Sequence, residues 1–235
     1  MITSSASRAF FWARFHFGRH LRKPGTWAWI GGVAFVAGLL RAFGGSPTTI
    51  ANLVILYAVP LAALSFGTSA MREEIEDQTL TYVFTRPIDR AWVYAARVAA
   101  TIGVTMLIGA GGALFSVSSV TGGIRTFAAA VGSAAAYTAF FALCGALFKR
   151  PASFGLVFAI AWESGLGAVP GFLTQLTLRT HLRNLADLRP TNALLSALWS
   201  PPHLVVSIAV IIGVTAVALT IGGILARTRE FVLTR

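Results

Sequence analysis

Long stretches without a charged residue alternate along this chain with short segments that carry the charges. A helix that crosses a bilayer needs about 20 mostly apolar residues, and the chain has apolar stretches for six such helices, the fifth of them interrupted by Glu163. The uncharged stretch Pro190–Ala226 is too long for one helix, and Pro201-Pro202 divides it. We therefore predict six spans, at about 26–44, 50–70, 98–124 (starting near Trp92), 126–148, 152–172 and 203–226.

Three polar segments remain between these spans. Residues 4–23 place Phe10, Phe17 and Leu21 near one helical face among arginines, which predicts an amphipathic helix lying at the membrane interface. Residues 71–91 form a loop between spans two and three, and residues 173–202 form a segment between spans five and six.

Composition agrees with a membrane protein and excludes two other classes. Of the 235 residues, 56% are hydrophobic and only 11% are charged, whereas soluble domains carry about 25% charged residues. A soluble enzyme and a disordered chain are both excluded. The fold class that we predict is an all-α integral membrane protein, with residues 1–235 as one transmembrane domain. Cys144 lies inside an apolar run and has no second cysteine to pair with.

The basic residues orient the spans. The formal net charge is +11, with 19 Lys and Arg against 8 Asp and Glu. If both termini are cytoplasmic, fourteen basic residues lie inside. The five basic residues outside are then Arg41, Arg125, Arg179, Arg183 and Arg189. This asymmetry favours six spans with both ends in the cytoplasm. It also accounts for the positive charge without a nucleic-acid partner.

Sequence signatures of catalysis are absent. The chain has no phosphate-binding G-x-x-x-x-G-K-[ST] sequence and no H-E-x-x-H, C-x-x-C or G-x-S-x-G. His16 and His20 have the i, i+4 spacing of metal ligands on a helix, but no third ligand is evident and no metal site is predicted. The alternative is that both histidines belong to an arginine-flanked interfacial helix and lie among lipid headgroups.

The loop between spans two and three is the densest charge cluster. Residues 72–90 hold five of the eight acidic residues. Apolar and hydroxyl positions at helical spacing predict a short helix from about Met71 to Phe84, which Pro87 ends. Asp89 is a natural N-cap for the helix that enters span three. Either the loop is a solvated segment with mutually neutralising charges, or it presents those charges to a partner.

The order of residues in this loop resembles that of type-2 ATP-binding-cassette permeases, a family of drug, polysaccharide and antibiotic exporters. In that family the second span runs into a pattern like E-x-G-T-L-E-x-L-x-x-x-P-x-[ST]-R, followed by a Lys or Arg. The positions that match are Glu76, Thr79, Leu80, Pro87, Arg90 and Arg97. Gln78, Thr81 and Asp89 depart from the pattern.

The resemblance implies a permease subunit that is not itself an enzyme. Such subunits dimerise in the bacterial cytoplasmic membrane and dock through this loop on ATPase subunits, which carry the ATP and Mg; no cofactor is expected on this chain. Residues 173–202 would form external re-entrant helices. The ATPase-coupling residues would be Glu73, Glu74, Glu76, Asp77, Thr79, Leu80, Val83, Phe84, Arg86, Pro87 and Arg90.

Two other function classes stay open from the sequence. One is a secondary transporter, although no inverted repeat and no pair of intramembrane ionisable residues is seen. The other is a membrane enzyme or assembly factor without transport, although no catalytic constellation is visible.

Glu163 is the one acidic residue inside a predicted span. A charge at that depth normally faces protein or water. We consider two interpretations: a polar point on the substrate pathway, or a structural hydrogen bond at a helix break. The residues that follow, Gly165, Gly167, Pro170 and Gly171, support the break.

Overall fold

The computed structural model describes residues 5–76, 89–168, 172–189, 196, 199 and 201–228. Within these ranges the regular secondary structure is helical. The α-helices are α1 (Ser5–Leu21), α2 (Pro24–Ala42), α3 (Pro47–Leu53), α4 (Val59–Glu76), α5 (Arg90–Ala113), α6 (Val120–Leu147), α7 (Pro151–Val157), α8 (Leu178–Leu185) and α9 (Leu204–Thr228).

Five helices in the described part of the chain are long and apolar enough to cross a membrane. They are Pro24–Ala42, Pro47–Ala70, Arg90–Ser116, Val120–Leu147 and Leu204–Thr228. The second of these joins α3 to α4 through a π-helical turn, Val54–Ala58. The chain is therefore a helical multi-pass membrane protein, and five of the predicted spans correspond to these helices.

The fifth predicted span, 152–172, has a different local structure. Here α7 passes into a π-helix, Phe158–Gly165, and then into a 3-10 turn, Leu166–Ala168. Gly165 and Gly167 weaken the preference for a regular α-helix. This segment is not among the five membrane-length helices, so a sixth span stays a prediction.

The structure changes the boundary of the predicted coupling helix. A separate helix over residues 71–84 was expected, but α4 continues without a break from Val59 to Glu76. The stretch 60–76 contains no proline after Pro60, so nothing forces the helix to end at the membrane surface. Residues 77–88 lie outside the described residues.

The helix α6 packs closely against α4 because small residues line their contact. A methyl group added to Gly145 would lie 2.8 Å from the Thr68 carbonyl oxygen, too close for any other side chain. Further along α6, the Ser133 hydroxyl donates to the Ile55 carbonyl at 2.9 Å, within the π-helical turn. Thus α6 contacts the second span along most of its length.

The amphipathic segment 4–23 is observed as α1, which packs against α5. The ring of Phe17 lies against Gly103 of α5. The turn into α2 is held by two hydrogen bonds, from the Thr26 hydroxyl to the His20 carbonyl at 2.7 Å and from the Trp27 indole to the Leu21 carbonyl at 2.8 Å. Helix α1 is therefore held beside α5.

Candidate functional site

Asp89 and Arg227 join the start of α5 to the end of α9. The Asp89 carboxylate caps α5 by accepting from the Ala91 amide at 3.0 Å, as its N-cap position predicts. Arg227 Nε donates to Asp89 Oδ1 at 3.0 Å, and Arg227 Nη2 donates to Asp89 Oδ2. The hydrogen bond from Arg227, together with that from Ala91, lowers the pKa of Asp89 below its usual value. These two helix ends therefore share one end of the bundle.

The predicted coupling residues are placed only in part. Glu73, Glu74 and Glu76 belong to the last turns of α4, and Arg90 is the first residue of α5. The remaining coupling residues lie outside the described part: Asp77, Thr79, Leu80, Val83, Phe84, Arg86 and Pro87. Their predicted role in coupling stays a prediction.

A small basic cavity lies between α1, α4 and α5. It is lined by His16, Arg19, His20 and Lys23 of α1, Ser69 and Ala70 of α4, and Arg97 and Thr101 of α5. Burial, together with the charges of Arg97 and Arg19, lowers the pKa of His16 to about 4. His16 is therefore neutral at pH 7, and its ring stacks on Trp12 with centroids 5.5 Å apart.

Metal binding has no support in the described residues, where no group of three or more His, Cys, Asp or Glu side chains comes together. His16 and His20 face a cavity whose other charged residues are cationic, which opposes a bound metal ion.

Glu163 forms a buried carboxylate cluster. Three donors converge on it: the Tyr137 hydroxyl at 2.9 Å, the Leu178 amide at 3.2 Å and the Arg179 amide at 3.0 Å. The side chain is only 5% exposed. Because the two amides belong to the first turn of α8, Glu163 caps that helix from another segment of the chain.

The rest of α8 is held by polar contacts to its neighbours. The guanidinium of Arg179 lies 4.4 Å from the centre of the Tyr57 ring and donates to the Ser164 hydroxyl at 3.3 Å. His181 Nδ1 lies 3.2 Å from Ser207 Oγ of α9, and Asn184 Nδ2 donates to the same oxygen at 2.8 Å. Thus α8 is fastened to the second span, the π-helix and α9.

This arrangement gives Glu163 a structural set of partners. Of the two interpretations from the sequence, the geometry supports the structural one, in which Glu163 forms hydrogen bonds between separate segments. A place on a substrate pathway stays a prediction. Sequence reasoning missed Tyr137 and Arg179 as its partners. Tyr137 lies in a long apolar run and Arg179 in a polar segment, and nothing in either local pattern points to Glu163.

No protein-family model matches the chain, and no curated protein matches it.

Proposed function

We propose that this protein is the transmembrane permease subunit of an ATP-binding-cassette exporter. It forms the substrate pathway as a dimer and is driven by separate ATPase subunits. The observation that carries the proposal is the position of the two helix ends that flank residues 77–88. Helix α4 extends through Glu73, Glu74 and Glu76, and the chain re-enters at the Asp89 cap of α5. The intervening residues carry the motif that resembles the docking loop of this family.

The ends of the helices support six crossings. Asp89 and Arg227 mark one end of the bundle. Arg125, near the start of α6, pairs with Asp187 after α8 at 2.6 Å, and these residues mark the opposite end. Because α6 returns the chain to the first end at Leu147, the following residues must run to the opposite end before α8. We propose that the segment 151–168 makes this sixth crossing.

The same layout supports the orientation. The basic cavity beside α1 lies at the end of the bundle where α2 and α5 begin, and α4 reaches Glu76 at this same end. In the orientation favoured by the fourteen-to-five distribution of basic residues, this end is cytoplasmic. A cytoplasmic ATPase then has direct access to the acidic end of α4.

Co-assembly tests this proposal. The genes next to that of this chain are searched for an ATP-binding-cassette ATPase. An ATPase found there, or failing that elsewhere in the same genome, is co-expressed with the chain, which is purified through a tag and placed in lipid nanodiscs. We expect a complex of two permease and two ATPase chains that hydrolyses Mg-ATP. The control is the ATPase co-expressed with an unrelated six-span protein. A permease that purifies without the ATPase, at the same level as the control, contradicts the proposal.

A further inference from the structure

A polar cavity of about 280 Å³ lies at the C-terminal end of α8. We call it the α8 cavity. It is lined by Arg183, Asn184, Asp187, Arg189, Ser196 and Trp199. Its volume is just below the range for ligand pockets, about 300–1,000 Å³. The cavity therefore has room for a small charged group with a short attachment.

The backbone at the end of α8 brings these side chains together. The Leu188 amide donates to the Arg183 carbonyl at 2.9 Å, and the Asp187 amide donates to the Asn184 carbonyl at 3.2 Å. This is a Schellman motif, which needs a left-handed residue after the helix. Asp187 takes that conformation with φ of 58°. A non-glycine residue there is strained, and its ion pair with Arg125 holds it in place.

The charges of the cavity are unbalanced. The carboxylate of Asp187 is already paired with Arg125 outside the helix. Arg183 has a buried Nε without a hydrogen-bond partner. Burial and the neighbouring charge of Arg179 lower the pKa of Arg183 below its usual value. The site thus holds two arginines, Arg183 and Arg189, against the single carboxylate of Asp187, which also pairs with Arg125.

We propose that the α8 cavity binds a phosphate group. Arginine presents a fork of N–H donors that matches phosphate oxygens, which makes it the preferred side chain for this ligand. Asn184 and Ser196 add polar groups, and Trp199 is a residue type that favours the membrane–water boundary. The phosphate comes either from an anionic phospholipid headgroup or from solution. The proposal rests on these residues alone and does not depend on the exporter assignment.

Native mass spectrometry of the full-length protein tests this site. Protein purified in detergent is titrated with dihexanoyl phosphatidylglycerol in one arm and with inorganic phosphate in the other. For the double variant Arg183→Gln/Arg189→Gln we expect binding roughly tenfold weaker or more than for the wild type. Arg41→Gln, an exposed arginine outside the cavity, is the matched control and should bind as the wild type does. Equal binding by the double variant and the wild type overturns the proposal.

Hydrogen exchange of the wild type provides a measurement that needs no variant. In nanodiscs of phosphatidylcholine, we expect peptides covering residues 183–189 to become protected when phosphatidylglycerol or inorganic phosphate is added. Protection by the lipid alone identifies the headgroup as the source, and protection by both identifies the phosphate group itself. No protection of these peptides by either ligand overturns the proposal.

Discussion

Arg227 donates to both carboxylate oxygens of Asp89, although 138 positions separate them in the sequence. The contact ties the last turn of α9 to the first turn of α5. It also explains why α5 begins where it does, since the same carboxylate caps the helix through the Ala91 amide.

Removing this carboxylate should loosen that end of the bundle. Asp89→Ala loses an N-cap, which costs about 1 kcal/mol, and an exposed ion pair, which adds about 0.2–1 kcal/mol. Asp89→Asn keeps a capping side chain and loses only the charge, so we expect it to retain most of the stability. Thermal unfolding in detergent measures the difference. Equal loss from Asp89→Asn and Asp89→Ala would show that the cap contributes nothing.

The cluster around Glu163 should depend on both acceptor oxygens of its side chain. Glutamine offers one acceptor oxygen, and its amide nitrogen would face a donor, because the carboxylate accepts from both the Leu178 and Arg179 amides. We expect Glu163→Gln to lower stability by about 1–3 kcal/mol, since a buried donor is left unpaired. Tyr137→Phe removes one donor and should cost about 1 kcal/mol.

Transport assays separate this structural role from a place on the substrate pathway. If Glu163 acts only as a cap, Tyr137→Phe and Glu163→Gln should reduce transport only in proportion to the folded fraction. Wild-type stability together with lost transport in Glu163→Gln would instead support the pathway interpretation.

The sequence predicted the long helices and the Asp89 cap, but it did not predict the partners of Glu163. The apolar stretches determined the five membrane-length helices, and the spacing before Arg90 correctly predicted the Asp89 cap. Periodicity and capping are local properties, so one segment suffices to read them. The bonds from Tyr137 and Arg179 to Glu163 depend on how three separate segments pack. No local pattern encodes that packing.

The second span continues into the first residues of the predicted coupling helix, a continuity that the sequence did not reveal for a related reason. The charged residues after the span suggested a separate helix. Helix propensity, however, does not depend on whether a residue lies inside or outside the membrane. Arg, Glu and Ile continue a helix readily, so the helix passes from the apolar to the acidic stretch without interruption.

Acid should destabilise the protein through His16. Its pKa is about 4 in the folded protein, against about 6.5 in an unfolded chain. The unfolded state therefore binds the proton more tightly, and the stabilisation present above about pH 6.5 is lost as the pH falls toward 4. His16→Phe should flatten the dependence of the unfolding temperature on pH in this window. His203→Phe, an exposed histidine at the start of α9, is the control; an unchanged pH profile in His16→Phe would contradict this assignment.

Labelling with an impermeant thiol reagent should establish the topology in cells. We expect single cysteines at positions 122 and 185 to react from outside, and those at positions 80 and 230 to remain unlabelled. The natural Cys144 is buried, so the wild type supplies the background. External labelling at position 230 would contradict the six-crossing layout.

The central claim is that the acidic end of α4 and the following loop couple this protein to an ATPase. Reversing three charges with Glu73→Lys/Glu74→Lys/Glu76→Lys places cations where we propose that the ATPase docks. Arg41→Glu, at the exposed C-terminal end of α2, is the control for a charge reversal.

The most direct test is transport per ATP hydrolysed, measured for the reconstituted complex with each variant at wild-type membrane insertion. The account predicts that the triple variant loses transport driven by ATP while the control keeps it. An unchanged ratio of transport to hydrolysis in the triple variant would contradict the account.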